Sequence, residues 1–540
     1  MSERAKARAV RRLAGIALLW LVLGELVVPN LIGWLYSADP ANWWAPLARA
    51  LARAQSRHSL DYYLGAWRKD GRWAVFALFA YQGFALATRQ GRFAERFVPP
   101  ATPAALGAIR ALVASVLLAS TLWEHLPSSA LLPRGLIHGE GPVLALLYAL
   151  PIGFERFVAS APALALLQAA TALLLACAAL GFRTRVSVPL AAAAYLILGG
   201  VLRQYAWFYH TGLVPLYLLM ALSFTPCGDG LSLDRWLRER RGESVPSANA
   251  ATLRYGWPRF FLWVALAFPY VEAGLSKLRR GGFAWPHAEN LKSILLIDTL
   301  NPMQFDWGVT LRLLSAPDAL FWAIGVTTLL GDIGYGLVLF SRRARLVLPA
   351  ITLGMHLGIW FLQNVLFFDL MLLQAILFGS RALPGSLAPA SKEPVSREPN
   401  WPRRVRLLAA LLITCWALRI EEYPFTAMQM YSKPNLTGEI DWIAVVATFE
   451  SGELRRAPIG DAIPALRDAR YRRVLRRGFE RYEQALAKEF LTAFALAHNA
   501  NAKPGSRITS VEAQLWRWNY SRAPNDPRHG ALVERYGVQL

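Results

Sequence analysis

Lys277 stands where a long apolar run, Phe260 to Leu275, gives way to the charged end of VEAGLSKLRRGG, residues 271–282. Two chemistries suit a lysine in that position. A cation on a flexible stem can anchor a helix at the membrane edge. An amine held away from water can instead lose its proton and serve as a base. In water a lysine side chain gives up its proton at pH 7 only at a cost of ~4.6 kcal/mol, and desolvation reduces that cost. Other ionisable or polar residues interrupt apolar runs. They are His210 in WFYHTGLVPLYLL, Glu272 near Lys277, Asp332 in LLGDIGYG, and His356, Gln363, Asn364 and Asp369 in LGMHLGIWFLQNVLFFDLMLL. Such residues are expensive in lipid and mark functional sites by default. Plainer readings compete: a snorkelling anchor for Lys277, an interhelical hydrogen bond for His210, and caps or polar pairs for Asp332 and Asp369.

The elements that carry these residues are helical by length. More than half of the 540 residues are hydrophobic (55%), and they come in blocks. Blocks of about 17–25 apolar residues cross a bilayer as helix, and no alternation points to a β-barrel. About eleven spans are expected by this rule, near 13–29, 73–88, 107–126, 163–182, 186–203, 208–225, 258–277, 319–340, 346–364, 366–379 and 405–419. The second and tenth are short enough to be re-entrant. The stretches near 43–54 and 142–152 are too short to span. On the helix that ends at Lys277, Tyr270, Ala273 and Gly274 precede it by seven, four and three residues and share its face. Ala273 and Gly274 leave room there for a flat molecule or a close helix, and Pro269 is placed to kink the helix a turn deeper.

The net charge of +22 lies largely in short clusters between apolar blocks, which argues for cytoplasmic loops and against nucleic-acid binding. With the N-terminus inside, Arg183 and Arg185, Arg235 to Arg241, Arg342 to Arg345 and Arg403 to Arg406 all fall inside, whereas the basic residues of 30–72 fall outside. His210 then enters its span from outside as Lys277 leaves outside, so the two share a depth near the external face. The N-terminus has the form of an uncleaved signal anchor. Three cysteines with no paired spacing predict neither a disulfide nor a metal framework. Residues 382–402 read as a Pro/Ser-rich linker. From Glu421 a polar tail follows, with a hairpin in IDWIAVVATFESGELRRAPI, helix over 462–498 and a strand in ITSVEAQLWRWNY. The fold class is an all-α polytopic membrane protein with a small C-terminal extracytoplasmic α+β domain. Its parts are an N-terminal membrane region (1–104), a transmembrane domain (105–380), a linker (381–403), a last span (404–420) and the tail domain (421–540).

Several of these stretches resemble one family. YVEAGLSKL followed by Trp285 is similar to the lysine motif of the vitamin K-dependent γ-glutamyl carboxylases and their bacterial relatives, the HTTM (horizontally transferred transmembrane) domain proteins. FYHTGLVPLYLLMALSFTP with the following LSLD, GMHLGIWFLQNVLFFDLMLL and IRALVASVLLAS resemble that family's histidine span, later histidine segment and opening helix. The resemblance covers roughly residues 105–380. It implies a reduced vitamin K or related quinol as cofactor and no metal. It implies Lys277 as the base that deprotonates the quinol, and His210 beside the reacting quinol. His356 matches the later histidine segment, and with Tyr270 and Gly274, which share the Lys277 face, it is expected as a cofactor-binding position. The partners implied are membrane lipid and a glutamate-containing protein or peptide, and the location is a bacterial inner membrane. Ser276 stands where the animal enzymes carry a second lysine.

Two functions follow from these readings. One is a quinol-dependent oxygenase or carboxylase with a lysine base. The alternative is a non-catalytic membrane module that binds lipid or quinone and presents the C-terminal domain to a partner. A transporter finds no inverted repeat in its support. If Lys277 is a base, Lys277→Arg and Lys277→Ala should both lose activity with little change in stability, because arginine effectively never gives up its proton.

Overall fold

The computed structural model describes residues 11, 14, 15, 17, 18, 21–43, 51, 52, 55, 56, 59–88, 91–136, 141–206, 210, 212–300, 305–378, 400–467, 470–480 and 483–540. The chain falls into two units, one of residues 1–96 with 402–420, the other of residues 97–401 with 421–540. In the first, a 29-residue helix, Leu60–Thr88, is joined to the chain near residue 419 by an Arg419–Asp70 ion pair of 2.5 Å and by the edge-to-face rings of Trp73 and Trp416. The expected linker lies almost wholly outside the described residues, as does most of the stretch 43–54 and, of the first expected span, residues 13, 16, 19 and 20.

The second unit is built on apolar helices of different lengths: α1 (Pro103–Trp123), α2 (Ala161–Leu180), α3 (Thr184–Ala206), α4 (Leu213–Leu222), α5 (Leu253–Gly281), α6 (Ala288–Leu300), α7 (Asp318–Gly334), α8 (Ala344–Gln363) and α9 (Phe368–Leu373). Among the described residues, six helices are long and apolar enough to cross a membrane: α1, α2, α3, α5, α7 with its 3-10 extension, and α8. They make this an integral membrane protein.

Of the eleven expected spans, the remaining blocks take other forms among the described residues, and the physical reasons differ from place to place. The 208–225 block yields a helix of only ten residues, because Gly212 turns the chain at φ +72° just before it. The 366–379 block begins after Asn364 at φ +61°, and its first helix is six residues long. The 405–419 block lies in a 17-residue helix that carries Arg403, Arg404 and Arg406. The 73–88 block is the end of a longer helix whose first half carries charge.

Hydrogen bonds fix which ends of the helices meet. Asp234 accepts from the backbone N–H groups of Arg183 and Thr184 at 2.6 and 2.7 Å. Arg110, wholly buried, donates to the carbonyls of Cys227 and Leu231. These bonds gather the arginine-rich turns at 183–185 and 235–241 at one end of the bundle. At the opposite end of α1, Glu124 receives a two-pronged bond from Arg470 of the tail, both contacts 2.6 Å. Paired forks of this kind are strong and directional.

The tail carries an antiparallel sheet in the order β4-β3-β5-β6, with β3 Glu439–Phe449, β4 Leu454–Arg456, β5 Ile508–Asn519 and β6 Ala531–Gln539. A small hairpin precedes it, β1 (Glu421–Glu422) with β2 (Phe425–Thr426). The β3–β4 turn contains Ser451-Gly452, with the glycine at φ +81°, a conformation that L side chains resist. Alternate residues of β3, Ile443, Val445, Ala447 and Phe449, face a core shared with Phe490, Leu491 and Phe494 of the helix Gln484–Asn499. The helix expected over 462–498 is divided into shorter helices, the last two being Arg472–Glu480 and Gln484–Asn499. The tail's core is continuous with the membrane unit: Leu132, Leu136 and Tyr205 belong to it, and Leu296 and Leu300 of α6 pack with Ile440, Trp518 and Tyr520.

Candidate functional site: an apolar cavity closed by the tail

Helix α5 positions the site. It runs unbroken through Pro258 and Pro269 and is buried along nearly its whole length, so a polar side chain on it has few ways to reach water. Lys277, in its last turns, is 7% exposed. Its ammonium lies 2.6 Å from Asp332 Oδ2 on α7 and 5.2 Å from the ring centre of Trp285. Asp332 is itself buried. Lys277 is therefore a partner in a buried ion pair rather than a snorkelling anchor, and the helix–helix pairing read for Asp332 has a definite mate.

Seven residues earlier on α5, Tyr270 is the hub of a polar network. Gln374 Nε2 donates to the Tyr270 hydroxyl at 2.9 Å and to the Leu370 carbonyl at 3.0 Å. Both amide protons of Gln374 are thereby used, and its Oε1 accepts from the Tyr335 hydroxyl. The one remaining bond of the Tyr270 hydroxyl, 2.9 Å to His356 Nε2, must carry its own proton outward. A neutral His356 then accepts at Nε2 and bears its proton on Nδ1. Among the described residues, that Nδ1 is buried and has no hydrogen-bond partner. A buried donor without a partner is costly and calls for an acceptor. The rings of Tyr270 and Tyr335 stack with centres 4.4 Å apart, which stiffens the hub.

These groups face one cavity of about 630 Å³, within the ~300–1,000 Å³ of small-molecule sites. Its polar lining includes Lys277, Asp332, His210, Tyr270 and His356; its walls are mostly apolar, with Ile294, Leu295, Ile324, Ile351 and Phe367 among them. Lys277, His210, Tyr270 and His356 are thus brought together. Gly274 is not part of the lining. A Cβ there would meet Ile333 Cγ1 at 2.7 Å and Asp332 Cβ at 2.9 Å, so this glycine lets α5 and α7 approach and brings Asp332 within reach of Lys277. Asp369 also lies outside the lining and accepts from the backbone N–H groups of Gly212 and Leu370.

The roof comes from the start of the tail. Met428, Met430 and Tyr431 line the cavity. The strap is pinned on both sides: Ser276 Oγ donates to the Ala427 carbonyl at 3.0 Å and Trp285 Nε1 to the Tyr431 carbonyl at 2.7 Å. The Tyr431 hydroxyl donates to Asp298 Oδ2 at 2.7 Å, and Arg472 lies 3.8 Å from the other oxygen of that carboxylate. Burial holds Asp298 above the usual carboxylate range, with Arg472 and the Tyr431 hydroxyl acting against it. His210 Nδ1 lies 3.4 Å from Thr426 Oγ1, which donates to Glu421 Oε2 at 2.8 Å.

Sequence reading singled out the polar residues but missed the strap, Trp285 as the ring under the ammonium, and Gln374. A signal existed for Gln374, a lone amide within the apolar run FFDLMLLQAILF. None existed for Met428 and Met430, which lie in an ordinary-looking polar segment. No family model, no curated protein and no solved structure matches this chain.

Proposed function

We propose that this protein is a membrane enzyme that takes a reduced quinone or a closely related aromatic alcohol into the cavity and removes a hydroxyl proton there. The observation that carries this reading is the meeting of Lys277, Asp332, His210 and His356 on one apolar cavity. The residues fit such a ligand. The walls match a flat, apolar ring system, the unpartnered His356 Nδ1 offers a donor to one ligand oxygen, and the Lys277 ammonium has N–H groups to spare beyond the one given to Asp332.

A bound quinol supplies acidic hydroxyls and two electrons for reaction with oxygen. The protein's share is narrower. The apolar walls exclude water, the Tyr270–Gln374–Tyr335 network holds His356 in one tautomer, and the Lys277–Asp332 pair accommodates a proton and the charge it leaves behind. The vitamin K-dependent carboxylase resemblance of the lysine and histidine segments supports the same class. It extends the proposal to a glutamate-containing peptide approaching from the side of the tail. The arginine-rich turns at the opposite end of the bundle support a cytoplasmic face there and an extracytoplasmic tail, in a bacterial inner membrane.

One observation favours the alternative of a binding module. The Lys277 nitrogen lies 2.6 Å from Asp332 Oδ2, a buried ion pair that joins two helices whether or not a ligand reacts there. Turnover separates the two. Purified protein in lipid nanodiscs, given a reduced naphthoquinone and oxygen, should convert it to oxidised product followed by chromatography. His210→Ala should slow this conversion without unfolding the protein. A wild type that binds the quinol yet never exceeds the protein-free rate would establish the module.

A further inference from the structure

The Lys277–Asp332 pair is incompletely used, and the unused part indicates which member handles the proton. Among the described residues, the Asp332 side chain makes no hydrogen bond besides the one from Lys277 to Oδ2, although it lines the cavity. Oδ1 is left for a ligand. Lys277, with three donors, has one acceptor and one ring face. The pair as a whole is neutral and sits in a cavity walled by apolar side chains. The other titratable groups facing that cavity are His210, Tyr270, His356 and Tyr431, none of them an anion at neutral pH.

Charge conservation then selects the route. A neutral amine beside a carboxylate would leave the cavity with a net negative charge before any ligand arrived, and an isolated charge in such a place is heavily penalised. A neutral hydroxyl entering beside the ammonium–carboxylate pair keeps the sum at zero throughout if the proton goes to the carboxylate. The oxygen it leaves then faces the ammonium.

From this geometry we infer that Asp332 is the proton acceptor of the site and Lys277 the fixed cation that stabilises the resulting oxyanion. The inference rests on the ligand class proposed above. In the step, the ligand O–H bond breaks, its proton bonds to Asp332 Oδ1, and the electron pair stays on the ligand oxygen beside Lys277. No oxidant or reductant takes part. Lys277 loses no proton, so its role needs charge and reach but not basicity. Asp332 is a catalytic residue in this assignment, and Gly274, which allows the close approach of its helix, is a positioning residue.

The test needs no turnover. Lawsone, a hydroxynaphthoquinone that is an anion at neutral pH, is titrated into the full-length protein in nanodiscs by calorimetry in two buffers of different ionisation enthalpy. Its anion would face both the ammonium and the Asp332 carboxylate, so binding should draw about one proton per ligand onto Asp332. An infrared band of a protonated carboxylic acid should appear with it. Lys277→Arg should keep the proton uptake and bind within about tenfold of wild type, since arginine supplies the charge without titrating. Asp332→Asn should bind with no uptake and no band. Proton uptake absent in wild type, lost in Lys277→Arg or retained in Asp332→Asn would overturn the assignment of Asp332. If Asp332→Asn does not fold, the infrared band and the Lys277→Arg titration still decide. Failure of wild type to bind lawsone at all would instead overturn the ligand class on which the assignment rests.

Discussion

At the scale of single residues, Lys277 and Asp332 have to be considered together. The sequence-level expectation that Lys277→Ala leaves stability near wild type is revised by the structure, because that change leaves a buried carboxylate with no counter-charge. Breaking a buried pair from one side costs about 3–5 kcal/mol. Lys277→Ala should therefore lower the unfolding midpoint in detergent clearly. The double change Lys277→Ala/Asp332→Ala should restore part of that loss, since it removes both charges. A Lys277→Ala protein as stable as wild type would show that water reaches the pair. Tyr270→Phe makes a different prediction. It deprives Gln374 of an acceptor and His356 of a donor, and should cost about 1–3 kcal/mol. It should also release His356 from its single tautomer, visible as a second set of imidazole nitrogen resonances. The polar residues of this site were legible in the sequence, because an ionisable group inside an apolar run stands out by composition alone. Their pairing was not. Nothing local says that Lys277 reaches Asp332 rather than a headgroup, since that depends on how closely two distant helices approach.

At the scale of elements, that approach is set by Gly274. Its missing Cβ is the space in which Ile333 and Asp332 lie. The sequence showed a small residue on the Lys277 face, and room for a ligand or a close helix were equal readings of it; the helix occupies it. Gly274→Ala should push α7 away from α5, cost about 1–3 kcal/mol by overpacking, and weaken lawsone binding through a lengthened ion pair. Unchanged binding and stability would mean that the helix contact is soft. The six long spans were legible because bilayer thickness sets a length that hydropathy can count. The blocks at 208–225 and 366–379 give the short helices α4 and α9, because hydropathy does not register where Gly212 and Asn364 turn the chain. In the tail, the β3–β4 hairpin was legible from alternation around Ser451-Gly452, whereas the break between Glu480 and Gln484 in the helical stretch left no periodic signature.

At the scale of the whole molecule, the tail doubles as the lid of the membrane site. Met428, Met430 and Tyr431 close the cavity, and the tail's core includes Leu132, Leu136 and Tyr205 from the membrane unit. A chain ending at residue 420 should therefore lose ligand binding as well as thermal stability, measured by lawsone titration and detergent unfolding. Binding retained in that truncation would make the strap dispensable. The tail and the arginine-rich turns lie at opposite ends of the bundle, so reporter fusions after residues 242 and 345 should report one side of the membrane and a fusion after 540 the other. The strap was the least legible part of the site, because it is brought over the cavity by hydrogen bonds from Ser276 and Trp285, both far from it along the chain.

The claim on which the rest depends is that an aromatic quinol-like ligand occupies this cavity. Photolabelling tests it most directly. A naphthoquinone carrying a small photoreactive group, irradiated with the protein in nanodiscs, should label peptides containing Met355 to Ile359 and Met428 to Tyr431, and excess unlabelled naphthoquinone should prevent it. Labelling confined to lipid-facing helix surfaces, or undiminished by the competitor, would contradict the account.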